Sequence, residues 1–167
     1  MKAMILAAGF GKRLLPLTEN LPKPLLKVGD QTLIERNINY LIKSGFSEIV
    51  INASHHGDLL MEHVNNIFPG HNILFSIEEK PLGTGGGILN ALEIVGDETF
   101  LVMNSDIFHN IDITHLPKDI EAAHLIGVSN PGHNPNGDFK INDNIVEITK
   151  GSNNLTWSGI SIINPVI

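Results

Sequence analysis

The chain contains no cysteine, which excludes disulfides and thiolate metal sites and leaves oxygen and imidazole as the only metal ligands. Positive charge is scarce. Eleven Lys and Arg against 18 Asp and Glu give a net charge of −7, which argues against broad contact with nucleic acid or anionic membrane. An anionic ligand therefore needs a local basic cluster. No apolar run approaches the length of a bilayer span. The composition, 42% apolar and 17% charged, is neither disordered nor membrane-spanning. The opening "MKAMILAAGF" is followed at once by glycine and "GKR", so it reads as an edge-to-core strand and not as a signal segment. The expectation is a cytoplasmic protein. At 167 residues the chain is sized for a single domain.

Apolar runs and helical stripes alternate. "AMILA" reads as a strand, and Ile34, Ile38, Leu41 and Ile42 repeat at helical spacing up to Gly45. "EIVINA" is the next strand, then a helix with Leu60, Val64, Ile67 and Phe68 on one face, stopped by Pro69-Gly70. "NILFSI" is a third strand. A glycine-rich "PLGTGGG" leads into a helix bearing Ile88, Leu89, Leu92 and Val95, with Thr84 as its candidate N-cap. "TFLVMNSD" then runs into Asp106. This rhythm predicts a Rossmann-like three-layer α/β/α domain, its sheet mostly parallel with helices on both faces. Beyond Asp106 the pattern changes. "AHLIGV" reads as a strand, "SNPGHNPNGDF" as an exposed loop, and "FKIND" with "NIVEIT" as a small antiparallel hairpin around Asp143-Asn144. The chain closes on the apolar strand "GISIINPVI" without a following helix, which reads as a truncated C-terminus and favours self-association into a homo-oligomer.

In a parallel sheet the loops at the carboxyl ends of the strands form the ligand crevice. Ala7 to Arg13 occupies the first of them. Its small residues admit a ligand to the backbone, successive amides make an anion nest, and Lys12, Arg13 and Lys23 add charge. Two familiar phosphate motifs fail here. A dinucleotide fingerprint wants a third glycine where Leu14 stands and an acid at the end of the second strand, where Asn52 stands. A P-loop wants Ser or Thr after its lysine, and Lys12 is followed by Arg13.

The longer string "LAAGFGKRLLPLT" followed by "PKPLL" resembles the sugar-phosphate nucleotidyltransferases, whose pattern is L-A-A-G-x-G-x-R, then P-L-T, then P-K-P. The resemblance implies that Ala8, Gly9 and Gly11 contact a nucleoside triphosphate, Arg13 its phosphates, and Lys23 the reacting centre. It also implies Mg²⁺ as cofactor, bound by Asp106, with Asn104 as a polar contact to the nucleotide. "PLGTGGGI" is similar to the family's base-recognition loop, with Gly83 and Gly85 admitting the base or ribose. The chemistry agrees, because joining two anions in line needs cations and backbone donors, and a strand-end aspartate suits Mg²⁺. Without the resemblance, Lys23 reads as a turn lysine, and Asp106 stays open between a metal ligand and a helix or turn cap.

Within the family, the triple glycine together with "NPGHNPNGDF" and "SGIS" resembles the N-acetylmuramate 1-phosphate uridylyltransferases, in a peptidoglycan recycling route. That implies UTP and a sugar 1-phosphate as substrates, with Asn130, Asp138, Ser158 and Gly159 facing the sugar phosphate. Mannose-1-phosphate guanylyltransferase and glucose-1-phosphate thymidylyltransferase share the phosphate motifs and stay open, as does a non-catalytic nucleotide-binding domain. Family members run longer and carry a second metal-binding aspartate, whereas no aspartate follows Asp143 here. Eight histidines show no metal-ligand spacing, and Trp157 reads as a packing residue beside the sugar-binding strand.

Overall fold

The computed structural model describes residues 1–149 and 153–166. Strand β1 (Ala3–Leu6) leads into a long loop holding two single 3₁₀ turns, Lys12–Leu14 and Lys23–Leu25. A two-stranded ribbon of β2 (Lys27–Val28) and β3 (Gln31–Thr32) then feeds helix α1 (Leu33–Lys43). This ribbon is not legible in the sequence, since each of its strands is only two residues long. Next come β4 (Glu48–Ala53), α2 (Gly57–Ile67), β5 (Asn72–Ile77), α3 (Gly83–Val95) and β6 (Phe100–Asn104). A third 3₁₀ turn, Ile113–His115, precedes β7 (Ala123–Ser129), the hairpin of β8 (Lys140–Asn142) and β9 (Ile145–Glu147), and β10 (Leu155–Ile163).

The main sheet has the order β5-β4-β1-β6-β10-β7. Parallel pairing joins β5, β4, β1 and β6, with Ala3 opposite both Ile49 and Leu101. β10 runs antiparallel to both neighbours, so the sheet is mostly parallel with one reversed strand. β1 therefore lies at the centre and not at an edge, because β4 and β6 pair with its two sides. Strand periodicity divides the apolar residues between the faces. Ala3, Ile5, Ile49, Ile51, Leu101 and Met103 pack with Ile34, Ile38 and Leu41 of α1 and Leu60 and Val64 of α2. Met4, Val50, Phe100 and Val102 pack with Ala91 and Val95 of α3. Helices cover both faces, as the β-α-β rhythm predicts.

The boundaries follow local chemistry. Thr32 caps α1 by accepting from the Glu35 amide at 3.2 Å while the Glu35 carboxylate accepts from the Thr32 amide at 2.9 Å, a reciprocal capping box. Gly45, at φ +87°, ends it, with the Phe46 amide reaching back to the Leu41 carbonyl at 3.0 Å. Two stripe residues are corrected. Ile67 at the end of α2 is 50% exposed and Leu89 is 71% exposed. Leu89 sits about 100° around α3 from Ile88, outside the stripe that Leu92 and Val95 complete. The β8–β9 hairpin turns through Asp143 and Asn144, both at positive φ, the geometry of a tight two-residue hairpin turn. Among the described residues no helix is long and apolar enough to cross a membrane.

Candidate active site

The carboxyl ends of β1, β4, β5 and β6 open into a cleft of about 420 Å³. Ala7, Ala8, Gly9 and Gly11 form one wall with Lys12 and Arg13, Lys23 and Asp106 stand together, and Gly83 and Thr84 enter from α3. Lys23 donates to the Asp106 carboxylate in an ion pair, joining two residues 83 positions apart in sequence. Pro22 and Pro24 flank Lys23 within its 3₁₀ turn, fixing the backbone that presents it. Gly11 adopts φ +63°, and a Cβ there would come within 3.0 Å of Thr18 Cγ2. The Thr18 hydroxyl donates to the Gly11 carbonyl at 2.9 Å, which folds the loop onto itself.

Asp106 is placed by its neighbours. The Ser105 amide donates to the Leu6 carbonyl at 3.0 Å, prolonging the β1–β6 ladder, and the buried Asn37 amide of α1 donates to the Ser105 carbonyl at 2.8 Å. Asn104 also lines the cleft, and Gly159 abuts it. A Cβ on Gly159, which sits at φ +86°, would lie 2.9 Å from Asn104 Nδ2.

Three residues to which the sequence reading assigned no place in the site organise the cleft floor. Asn52 accepts from the Ala7 amide at 2.6 Å and donates to Glu78 at 2.6 Å, and the other Glu78 oxygen accepts from the Leu82 amide at 2.8 Å. Asn52 and Glu78 are buried, so this chain ties the phosphate loop to the start of α3. Gly87 makes it possible, because a Cβ there would lie 2.6 Å from Asn52 Nδ2 and 2.7 Å from Glu78 Oε1. The helix begins at Gly83, with Leu82 as its N-cap and no side-chain cap. Thr84 is therefore inside the first turn and not the N-cap, since Glu78 already takes the amide that enters the helix. Gly83 lines the cleft, whereas Gly85 does not.

The expected sugar residues lie at the same edge of the sheet, outside this cleft. Asn130 donates to the Pro135 and Asn153 carbonyls at 3.2 and 3.0 Å and accepts from the Thr156 hydroxyl at 3.0 Å, so its amide shapes the loop. Asp138 accepts from the Trp157 amide and from Asn134, each at 2.9 Å. Ser158 and Gly159 fall where the β10–β7 register shifts, and the Ser158 hydroxyl accepts from the Ile160 amide at 3.2 Å. A second cavity of about 450 Å³ adjoins the first through Thr84 and is walled by Ile88, Leu125, Phe139 and Trp157, with Asp138 at its margin. The Trp157 indole N–H donates to the Ile160 carbonyl and the Ser161 hydroxyl. Its ring thus serves both packing and cavity wall.

The sequence profile of the family described as Nucleotidyl transferase matches residues 2–131. The chain belongs to the nucleotidyl transferase family. Among curated nucleotidyl transferase relatives, it is 43% identical to the N-acetylmuramate alpha-1-phosphate uridylyltransferase of Neisseria meningitidis serogroup B, over 99% of this chain and 76% of that protein. It is 37% identical to the D-glycero-alpha-D-manno-heptose 1-phosphate guanylyltransferase of Campylobacter jejuni, over 70% of this chain and 52% of that one. The chain also spans half the length of an Aspergillus fumigatus mannose-1-phosphate guanyltransferase, at 32% identity. Among solved structures, HddC of Yersinia pseudotuberculosis complexed with GMP-PN superposes with a TM-score of 0.80 at 27% identity, over 98% of this chain and 76% of that one. The sugar-phosphate nucleotidyltransferase assignment drawn from "LAAGFGKR" and "PKP" stands on these relatives.

Proposed function

We propose that the chain is the nucleotidyltransferase part of an N-acetylmuramate 1-phosphate uridylyltransferase. It would transfer the uridylyl group of UTP to the phosphate of the sugar, with pyrophosphate leaving. The observation that carries this reading is the junction of two unlike cavities at Thr84: a cationic, glycine-walled cleft on one side and an apolar, Trp157-walled cavity on the other. The first suits a triphosphate and the second a sugar bearing apolar substituents. A phosphate oxygen of the sugar phosphate attacks the α-phosphorus, the bond to the bridging oxygen breaks, and pyrophosphate carries the electron pair away. Two anions must approach in line, so most of the catalytic work is positioning and charge neutralisation. Lys23 and Arg13 serve the phosphates, and the nest of Ala8, Gly9 and Gly11 supplies backbone donors.

Asp106 would hold Mg²⁺. Among the described residues no group of three or more acidic or imidazole side chains could cage a metal. A single carboxylate plus phosphate oxygens and water nevertheless suits this ion, which keeps much of its hydration. Bound there, Mg²⁺ would neutralise charge on the phosphates. The Lys23–Asp106 pair is then divided, Lys23 turning to phosphate.

Base choice is supported by Glu78. Its carboxylate has unused lone pairs beyond the two bonds it accepts, and it suits a base with a ring N–H on its pairing edge, as uracil, thymine and guanine have. Cytosine and adenine present a ring acceptor there, with an amino donor beside it. Likeness to the Neisseria uridylyltransferase favours uracil among the three. The experiment is a panel of UTP, dTTP, GTP, CTP and ATP against several sugar 1-phosphates, with pyrophosphate release as readout. Comparable kcat/KM for UTP and GTP would refute the uridylyl assignment, and CTP turnover equal to that of UTP would refute Glu78 as a reader of the ring N–H.

A further inference from the structure

On the α1 side of the Asp106 segment lies a polar recess of about 150 Å³, lined by Arg36, Asn37, Tyr40, Lys43 and His109. Arg36, Tyr40 and Lys43 recur at helical spacing and form one stripe of α1. His109 approaches from the segment that follows β6. The hydrogen-bonding inventory of this recess is one-sided. The Tyr40 hydroxyl is taken by the Ile111 carbonyl and the Asn37 amide by the Ser105 carbonyl. His109 Nδ1 accepts from the Ile111 amide at 3.3 Å, which leaves Nε2–H of the neutral ring as a donor. Burial, reinforced by Arg36, holds the His109 pKa below its usual value, so the ring is neutral near pH 7.

Arg36 and Lys43 have no carboxylate within 4.0 Å among the described residues. Arg36 is stacked 3.7 Å from the centroid of the Phe108 ring, which fixes the plane of its guanidinium. Two cations and a neutral donor thus line one recess in an otherwise acidic chain, and among the described residues neither cation is paired with a carboxylate. At about 30 Å³ per water, the recess holds roughly five waters, enough for one tetrahedral oxyanion and too little for a nucleoside.

We propose that this recess is a second anion site, taking the phosphoryl group of a compact phosphate and separate from the nucleotide cleft. A phosphate there meets a planar, preoriented Arg36, the Lys43 ammonium and His109 Nε2–H, the donor types that bind phosphoryl oxygens best. The site also bears on the cleft. Asn37 grips Ser105 next to Asp106, and Tyr40 and His109 both hold Ile111, so residues 105–111 run between the two anion sites. Occupancy of either then alters affinity at the other, reciprocally. This coupling rests on the nucleotidyltransferase reading; the site itself does not.

The test is titration of the chain with inorganic phosphate, followed by the backbone amide signals and the ring signals of His109. Saturable shifts are expected at His109 and Ile111. They persist with little change in affinity in Lys23→Ala, which removes a cation from the nucleotide cleft only. In Arg36→Gln/Lys43→Gln affinity falls about tenfold or more, as the loss of two charge-assisted contacts requires. Lys43 is exposed, so Lys43→Gln alone keeps the fold and still weakens binding. Glycerol phosphate in a parallel titration separates the sources: tighter binding assigns the site to an organic phosphate, absent binding to free phosphate. Shifts confined to residues 8–23 that vanish in Lys23→Ala, or His109 shifts unchanged in the double variant, would overturn the proposal.

Discussion

Gly85 and Gly87 sit two residues apart in α3, and the structure assigns them opposite responses to the same added methyl group. At Gly85 a Cβ would meet nothing within 4 Å, so Gly85→Ala gains only the helix preference of alanine, up to about 1 kcal/mol. At Gly87 the same preference is opposed by Asn52 Nδ2 and Glu78 Oε1 at 2.6 and 2.7 Å from the new carbon. Both are buried and engaged with Ala7 and Leu82, so neither has a free rotamer to retreat into. Displacing them breaks at least one buried hydrogen bond to a carboxylate, at a cost of about 1.5–3 kcal/mol. The net loss is about 0.5–2 kcal/mol, more if the Ala7 bond fails as well. For a domain of this size each kcal/mol moves Tm by roughly 2–4 °C. Thermal unfolding of the two variants should therefore diverge, Gly85→Ala rising by a few degrees and Gly87→Ala falling by about 1–8 °C. Gly87→Ala should also raise the nucleotide KM, because Ala7, Asn52 and Glu78 line the cleft. Equal Tm for the two variants would show that the Asn52–Glu78 chain is soft, and the reasoning would fail.

Lys23→Ala should lower turnover by about two orders of magnitude while leaving Tm nearly unchanged, since a charge serving the transition state is lost; a loss of less than several-fold in pyrophosphate release would return Lys23 to a surface role. Asp106→Asn should raise the Mg²⁺ concentration needed for activity more than it weakens nucleotide binding, because the backbone nest remains, and an unchanged Mg²⁺ titration contradicts the assignment. His109 has a folded pKa below its ordinary 6.5, so its contribution to stability is present above that value and is lost as pH falls through the folded pKa. The Tm difference between pH 7.5 and pH 5.5 should therefore shrink in His109→Gln; an unaltered difference refutes it.

What the sequence discloses depends on how local the cause is. The parallel core was legible because β1, β4 and β6 alternate or run apolar over four to six residues and because Gly45 and the Asp143-Asn144 turn are local conformational demands. Arg13, Lys23 and Asp106 were legible as a string, and the fold brings them to one cleft. Asn52, Glu78 and Gly87 were not. Their bonds span 45 and 26 residues, and nothing in the neighbourhood of a buried Asn announces a partner on another strand. The role of the triple glycine was visible in outline and misplaced by residue: Gly83 meets the cleft, Gly85 does not, and Gly87 admits the buried pair. Asn130 and Asp138 reached the expected edge of the sheet, but their polar atoms are engaged within the loop.

The reversed strand β10 has a consequence for how the chain assembles. β6 and β7 are 19 residues apart in sequence yet do not pair with each other among the described residues; β10 lies between them and pairs with both. Residues 3–104 can therefore form the four-stranded parallel core as they emerge, while β7 must wait for residues 155–163. During that interval the outer edge of β6, made of Phe100, Leu101, Val102 and Met103, presents unpaired backbone on an apolar strand, the kind of edge that recruits foreign strands. On a ribosome the wait is several seconds at about 5–20 residues per second. A synonymous slowdown that falls after β6 has left the ribosomal tunnel and before β10 has should lengthen it and raise the aggregated fraction, whereas the same slowdown before codon 100 should not.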